Sequence, residues 1–260
     1  MAFKQRDSAS NQEQKRIHAY IATPAYDGRV LADYSLSLAE ALRDAALFGI
    51  QTTAAVMGNG AFIEIARNNF VRLFLETDCT HLFFIDADLK FESRAFISLL
   101  TANKPVSAGA YRRRQKNEDY PIKLTPYPDG GGLWLEPDGW IRADRVATGF
   151  LCIRRDIVEE MAKEARLMQQ PDTPHTPILF HTYLIPREDG AFAFMGEDFA
   201  WCDDYLKKYN DPIWVWPDFD FVHGGYECNF HEYLNKRIEA EKAEEQAAAA
   251  EAGTSTEAAQ

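Results

Sequence analysis

The run His81-Leu82-Phe83-Phe84-Ile85 constrains this chain most. Its consecutive apolar residues, Leu82 to Ile85, read as a strand buried on both faces, and such a strand needs a layer of structure on each side. The run ends in Asp86-Ala87-Asp88. In an extended segment residues two apart point to one side, so both carboxylates are predicted to face one point. Two such charges repel each other and lose hydration when gathered. A divalent cation carrying an anionic ligand removes both problems, and hard cations such as Mg²⁺ or Mn²⁺ take oxygen ligands and commonly arrive with phosphate. The same residues also read as a solvated acidic turn, with Asp88 capping the next helix. Asp-X-Asp alone does not choose between the two.

The flanking pattern sets the fold class. Ile17 to Ala22 reads as a first strand running into Thr23-Pro24-Ala25-Tyr26-Asp27-Gly28. Leu31 to Phe48 carries apolar residues near helical spacing and stops at Gly49; Thr52 to Met57 is a second strand, and Gly58-Asn59-Gly60 a turn. Ala61 to Glu76 is an amphipathic helix with Ile63, Ala66, Phe70, Leu73 and Phe74 on one face. It contains Arg67, which taken alone reads as an ordinary surface arginine. After the acidic strand come a helix at Ser93 to Thr101 and a strand at Pro105 to Tyr111. Alternating strands and helices predict an α/β fold with a mostly parallel central sheet and helices on both faces.

Beyond Tyr111 the pattern changes. Arg112-Arg113-Arg114 is a compact basic patch after a strand that can lie beside the acidic one. Residues 120 to 147 are rich in Pro, Gly and aromatics, with Gly130-Gly131-Gly132 among them, and predict a small antiparallel sheet. Ala147 to Ile153 is another buried strand, and Arg154 to Met168 a helix. Residues 170 to 190 carry prolines, His175 and His181 without periodicity, as lids and binding loops do, and both histidines read as surface residues. Gly196-Glu197-Asp198 opens a helix, where the helix dipole favours acidic residues. The apolar run before it, Ala191 to Met195, suggests partial burial, which would suit a carboxylate base. Ile213 to Trp216 is a strand, and His223 sits between an apolar run and Gly224-Gly225, able to serve as a metal ligand or simply to pack. From Phe230 the chain turns helical and then into Ala/Glu repeats.

The expected division is a flexible start at 1–16, one catalytic domain at 17–235 (nucleotide half 17–115, acceptor half 116–235), and a helical-to-disordered tail at 236–260. With 260 residues, 46% of them hydrophobic, one sizeable core is available. A net charge of −12 argues against general affinity for nucleic acid or anionic membrane. The cysteines Cys79, Cys152, Cys202 and Cys228 make no zinc spacing and fit a reducing compartment as small apolar residues. No apolar leader core or membrane-length run is evident, which predicts a cytoplasmic protein.

Taken together these stretches resemble glycosyltransferases of the GT-A fold, with a closer likeness to small members from viruses and bacteria. The resemblance covers about residues 17 to 228 and rests on the order of short motifs: Thr23-Pro24-Ala25, Ala66-Arg67-Asn68, Phe84-Ile85-Asp86-Ala87-Asp88, Ala147-Thr148-Gly149-Phe150, Gly196-Glu197-Asp198 and His223. It implies a single Rossmann-like domain that transfers a sugar from a nucleotide-diphosphate sugar to an acceptor hydroxyl. By that likeness Thr23, Pro24, Ala25, Arg67, Asp86, Ala87 and Arg112 bind the donor, and Asp86, Asp88 and His223 hold Mn²⁺ or Mg²⁺. Asp198 acts as base in an inverting reaction or orients the substrates in a retaining one, and Glu197 and Trp201 meet the acceptor; for Trp201 a core or rim position is the other reading. Partners would be the donor and a glycan or other hydroxyl-bearing acceptor, with a virus-encoded protein acting in host cytoplasm as one setting. The second strand ends in Met57-Gly58-Asn59-Gly60 without the carboxylate that many members use to read the base, so the nucleotide stays open. The alternatives are a phosphohydrolase, which would want the acidic motif on its first strand and a Thr or Ser where Lys90 stands; a nucleotidyltransferase, which would want a fuller glycine-rich basic loop than Gly28-Arg29; and a non-catalytic nucleotide- or glycan-binding module.

Overall fold

The computed structural model describes residues 16–58, 62–128, 133–171 and 173–257. The expected loose start, the Asn59-Gly60 turn, the Gly130-Gly131-Gly132 turn and the last three residues of the expected tail lie outside them. The first half contains β1 (His18–Ala25), α1 (Ala32–Leu47), β2 (Gln51–Gly58), α2 (Ile63–Leu75), β3 (His81–Ile85), β4 (Leu89–Phe91), α3 (Ser93–Thr101) and β5 (Val106–Gly109). The middle contains β6 (Ile122–Leu124), β7 (Ile141–Val146), β8 (Phe150–Arg154), α4 (Arg155–Glu164), β9 (Leu167–Met168), β10 (Thr176–Pro177), β11 (Tyr183–Pro186) and β12 (Phe192–Met195). The last part contains α5 (Glu197–Tyr209), β13 (Ile213–Trp216), β14 (Asp220–His223), β15 (Tyr226–Asn229) and α6 (Phe230–Glu257).

Eight strands form one sheet in the order β2-β1-β3-β8-β5-β13-β7-β6. The α/β class is as expected, and the sheet is mixed. β1 pairs in parallel with β2 and β3, and β5 with β13, whereas β8 runs antiparallel between β3 and β5. β3 is buried along its whole length, as its apolar run requires. Its alternate residues feed two cores: Leu82 and Phe84 join Phe70 and Phe74 of α2 and Trp201 of α5, while Phe83 and Ile85 join Tyr34 of α1 and Phe96 of α3. Helices therefore cover both faces.

Two smaller features shape the site. The turn after β1 closes with the Gly28 amide donating to the Ala25 carbonyl (3.0 Å). Gly28 has φ 76°, and a Cβ on Gly58 would come within 2.6 Å of the Gly28 backbone, so the ends of β1 and β2 demand glycine on both sides. A second sheet, β15-β14-β4, hangs below the first, with Leu89 opposite His223 in its register. The helix expected over Arg154 to Met168 ends at Glu164: Ala165 turns extended (ψ 145°), and Leu167–Met168 pairs with β10 instead. No helix among the described residues is long and apolar enough to cross a membrane.

Candidate functional site

Asp86 and Asp88 sit beyond the carboxyl end of β3, but they do not point together. The chain leaves extended geometry after Ile85 and turns, with the Leu89 amide donating to the Asp86 carbonyl (3.2 Å). The same-side geometry expected of residues two apart holds only while a segment stays extended, and this turn divides the two carboxylates between different partners.

Asp86 belongs to a cluster built from four elements. Its backbone amide donates to the carbonyl of Gly149, which precedes β8 (2.9 Å). Its Oδ2 accepts from the Tyr111 hydroxyl (3.1 Å), and that hydroxyl accepts from the Gly149 amide (2.9 Å). Its Oδ1 lies 3.6 Å from the guanidinium of Arg67, whose other terminal nitrogen pairs with Glu197 at the start of α5. Arg67 is 5% exposed, so the surface reading of this residue is corrected. Its position on the inner face of α2 aims it across the sheet end at two carboxylates, which is how a buried guanidinium is tolerated. Burial lifts the Glu197 carboxyl above its usual range, Arg67 pulls it back and Asp198 adds to the rise. Burial, with Asp86 beside it, also drives the Tyr111 hydroxyl well above its ordinary value, so it stays a donor to Asp86.

Asp88 belongs to a second cluster. The β4–β14 register carries His223, more than a hundred residues later in sequence, to Leu89 and hence to Asp88. His223 Nε2 lies 3.5 Å from Asp88 Oδ1, and His223 Nδ1 is 2.8 Å from the Arg112 carbonyl. With Nδ1 donating to the carbonyl, Nε2 faces Asp88, and in the neutral imidazole that nitrogen carries the lone pair with which histidines ligate metals. Burial pulls the His223 pKa down, but the hydrogen bonds to Asp88 and the Arg112 carbonyl, with the charges of Asp88 and Asp86, leave it raised overall. Asp88 Oδ2 accepts from Arg114 (2.6 Å). The His223 hydrogen bond is the main reason the Asp88 carboxyl is held low.

Around these clusters the remaining sequence candidates fall as follows. Thr23, Pro24 and Ala25 are buried at the end of β1, with the Thr23 hydroxyl bonded to Tyr34. The Ala87 carbonyl accepts from the Leu31 amide (2.9 Å), stitching the loop after β1 to the acidic turn. Asp198 is half-buried; its Oδ1 accepts from the Phe199 amide (2.7 Å), and its Oδ2 has no hydrogen-bond partner among the described residues. Arg112 is spent on the carbonyls of Gln115 and Lys116, and its neighbour Arg114 is the arginine that reaches the acidic turn. Trp201 is 1% exposed and stacked between Phe180 and Tyr205, so the core reading describes it and no acceptor touches it there. His175 is exposed, and His181 pairs with Asp204 (2.8 Å).

Tyr111 and Gly149 carry no assigned role in the sequence, and Arg114 enters there only as part of the Arg112-Arg113-Arg114 basic patch. Gly149 had a signal in the Ala147-Thr148-Gly149-Phe150 stretch; Tyr111 had none beyond closing a strand. Among the described residues, three potential ligand atoms lie within 4.8 Å of one another at His18, Asp78 and Cys79, and not at Asp86, Asp88 and His223. The former trio lies at the opposite end of β1 and β3 from the acidic turn, so it is separate from the candidate site. A groove of about 1040 Å³ runs past α1, β4 and α6; its walls include Asp33, Glu40, Glu92 and Asp220, a poor lining for a diphosphate, and none of the candidate site residues.

No protein-family model matches the chain, and no curated protein matches it in sequence. Solved structures give distant likenesses. GalNAc-T7 with UDP, GalNAc and Mn²⁺ aligns at 12% identity and a TM-score of 0.42, over 82% of this chain and 46% of that one. This chain thus spans under half of its length. UDP-glucose pyrophosphorylase complexed with UDP-glucose aligns at 11% identity and a TM-score of 0.42, over 77% of this chain and 90% of that one. A glycosyltransferase involved in glycosylation of the major capsid of PBCV-1 aligns at 10% identity and a TM-score of 0.29, over 55% and 63% of the two chains. At these scores the likenesses carry no argument, and the functional reading rests on the residues.

Proposed function

We propose that the chain is a metal-dependent glycosyltransferase of the GT-A kind, transferring a sugar from a nucleotide-diphosphate sugar to an acceptor hydroxyl. The observation that carries this reading is the split of the acidic turn: Asp88 faces Nε2 of an oriented histidine, while Asp86 is tied to Arg67 and, through it, to the Glu197-Asp198 helix start. One arm suits a cation with its diphosphate; the other suits the sugar and the attacking hydroxyl.

The residues fit a divalent cation. The Arg112 carbonyl fixes the His223 tautomer, and Asp88 Oδ1 stands 3.5 Å from Nε2. Neighbouring ligands of an octahedral ion lie roughly 3 Å apart, so only a small movement separates this pair from a shared ion. Asp88 and His223 would hold it, and when bound it would supply positive charge to the diphosphate. Mn²⁺ suits this nitrogen–oxygen pair better than Mg²⁺, which prefers oxygen alone.

The protein's own groups do the rest. Arg67 puts one positive charge between Asp86 and Glu197, which offsets their mutual repulsion. Tyr111 and Gly149 clamp Asp86, so the Asp86 carboxylate is oriented before any substrate arrives. The backbone at Thr23 to Ala25 and the loop fastened to Ala87 form the floor on which the nucleotide would lie at the sheet end. In an inverting transfer Asp198 would accept the hydroxyl proton through Oδ2, the oxygen not bonded to the Phe199 amide, as the acceptor oxygen bonds to the anomeric carbon. The bond from that carbon to the diphosphate oxygen breaks, and the nucleoside diphosphate leaves with the electron pair.

A separation of binding from transfer tests this. Asp198→Asn is expected to bind the donor within about threefold of the parent by calorimetry, while transfer falls roughly 10²–10⁴-fold, the range for losing a general base. Loss of donor binding in this variant would remove Asp198 from the acceptor side and with it this assignment.

A further inference from the structure

Of the four arginines Arg67, Arg112, Arg113 and Arg114, three are committed. Arg67 is buried between Asp86 and Glu197, Arg112 is bound to loop carbonyls, and Arg113 pairs with Asp119 (2.9 Å). Arg114 differs. Its side chain is 62% exposed, yet its guanidinium reaches in to Asp88 Oδ2 at 2.6 Å. Its stem runs over Gly224, in the turn joining β14 to β15. Gly224 has φ 59°, and a Cβ there would lie 2.5 Å from Arg114 Cδ and 2.8 Å from Cγ. The turn that follows His223 therefore leaves a groove for the Arg114 stem and guides it to the carboxylate opposite His223.

Both oxygens of Asp88 are thus engaged, one toward His223 and one by Arg114. A divalent cation and a guanidinium on one carboxylate repel at a few ångströms. The two can remain together when a further anion bridges them. A diphosphate does so, since the planar guanidinium fork pairs with two phosphate oxygens.

Building on the glycosyltransferase reading, we propose that Arg114 is a positioning residue that couples cation to nucleotide: it competes with the cation for Asp88 in the free protein and passes to the diphosphate when both bind. Cation and nucleoside diphosphate then each raise the other's affinity, by the reciprocity that any such coupling obeys. An arginine that merely touched phosphate would leave the binding of a cation alone unchanged. One that merely supported the fold would weaken that binding when removed.

The test is Mn²⁺ binding to the full chain, followed by electron paramagnetic resonance, alone and with UDP or GDP. It compares the parent with Arg114→Met, Arg114→Lys and the control Arg113→Met, with circular dichroism confirming folding. Arg114→Met is expected to bind Mn²⁺ alone three- to tenfold more tightly, while the enhancement by nucleotide falls at least fivefold. Arg114→Lys should keep part of the coupling, and Arg113→Met all of it. Unchanged or weaker binding of Mn²⁺ alone in Arg114→Met overturns the proposal. No Mn²⁺ binding by the parent with either nucleotide overturns the glycosyltransferase reading itself, and the proposal with it.

Discussion

Gly149 has room for a hydrogen and nothing more. A Cβ there would collide with Asp86 Oδ2 and the Tyr111 hydroxyl at once, and neither can yield without breaking the clamp that orients Asp86. Gly149→Ala is therefore expected to lower transfer about 10²-fold, the cost of shifting a positioned group by roughly 1 Å. Its melting temperature should drop as well, because the collision lies at the seam of β3 and β8. Steady-state kinetics beside a thermal melt check this; near-parent activity would mean that Asp86 need not be held where it is. The same scale shows why Asp86 and Asp88 differ in role although they are nearly adjacent. A single turn gives one to tyrosine and buried arginine and the other to histidine and exposed arginine.

At the scale of elements, α2 does two jobs through adjacent residues. Arg67 points at the acidic turn, and Asn68 holds the segment after β10. The Asn68 side chain accepts from the amides of Leu179 (2.9 Å) and Phe180 (2.8 Å) and donates to the Phe180 carbonyl (2.7 Å). Phe180 then stacks on Trp201 of α5 and lies under the Arg67 guanidinium. Asn68→Ala strands three backbone groups in a dry core and is expected to cost about 3 kcal/mol of unfolding free energy in a denaturant titration. A cost under about 1 kcal/mol would show that water replaces the amide. This also marks where sequence reading stopped. The apolar runs at β1, β3, β8 and β13 and the helical spacing of α1, α2 and α3 were legible, because burial dictates residue type directly. The partners of Asn68, Arg112 and Trp201 were not, because they depend on loops that no periodicity describes. The segment at 170–190 read as a binding loop; its part from Thr176 to Phe180 is mostly buried, pinned by Asn68, and closer to core than to lid. The antiparallel course of β8 was equally hidden, since an apolar strand carries no sign of its direction.

At the scale of the molecule, the sheet has two chemically different ends. The carboxyl ends of β1 and β3 gather the acidic turn and its arginines. At the other end His81 opens β3, 9% exposed. Burial, with Arg154 nearby, pushes its imidazole down to about 4, against the pull of Asp156. The folded protein therefore refuses a proton that the unfolded chain accepts below the ordinary value of 6.5, so stability is lost as pH falls from about 6.5 toward 4. Between pH 7 and 4.5 this one group accounts for roughly 2–3 kcal/mol. His81→Gln should flatten that part of the pH profile in urea titrations, and an unchanged slope would show that His81 is free to protonate when folded. The net charge of −12 makes the other end's requirement plain. An anionic donor of the proposed kind would approach this molecule against its overall field, so such a site would need its own positive charge, from Arg67, Arg114 and a bound cation.

The most direct measurement of that requirement is the thermal stability of the parent and Asp88→Asn with UDP or GDP, with and without Mn²⁺. A nucleotide held through a cation on Asp88 and His223 should raise the parent's melting temperature by several degrees only when Mn²⁺ is present, and the rise should vanish in Asp88→Asn. Equal stabilisation in chelator, or a full response in Asp88→Asn, would contradict the account.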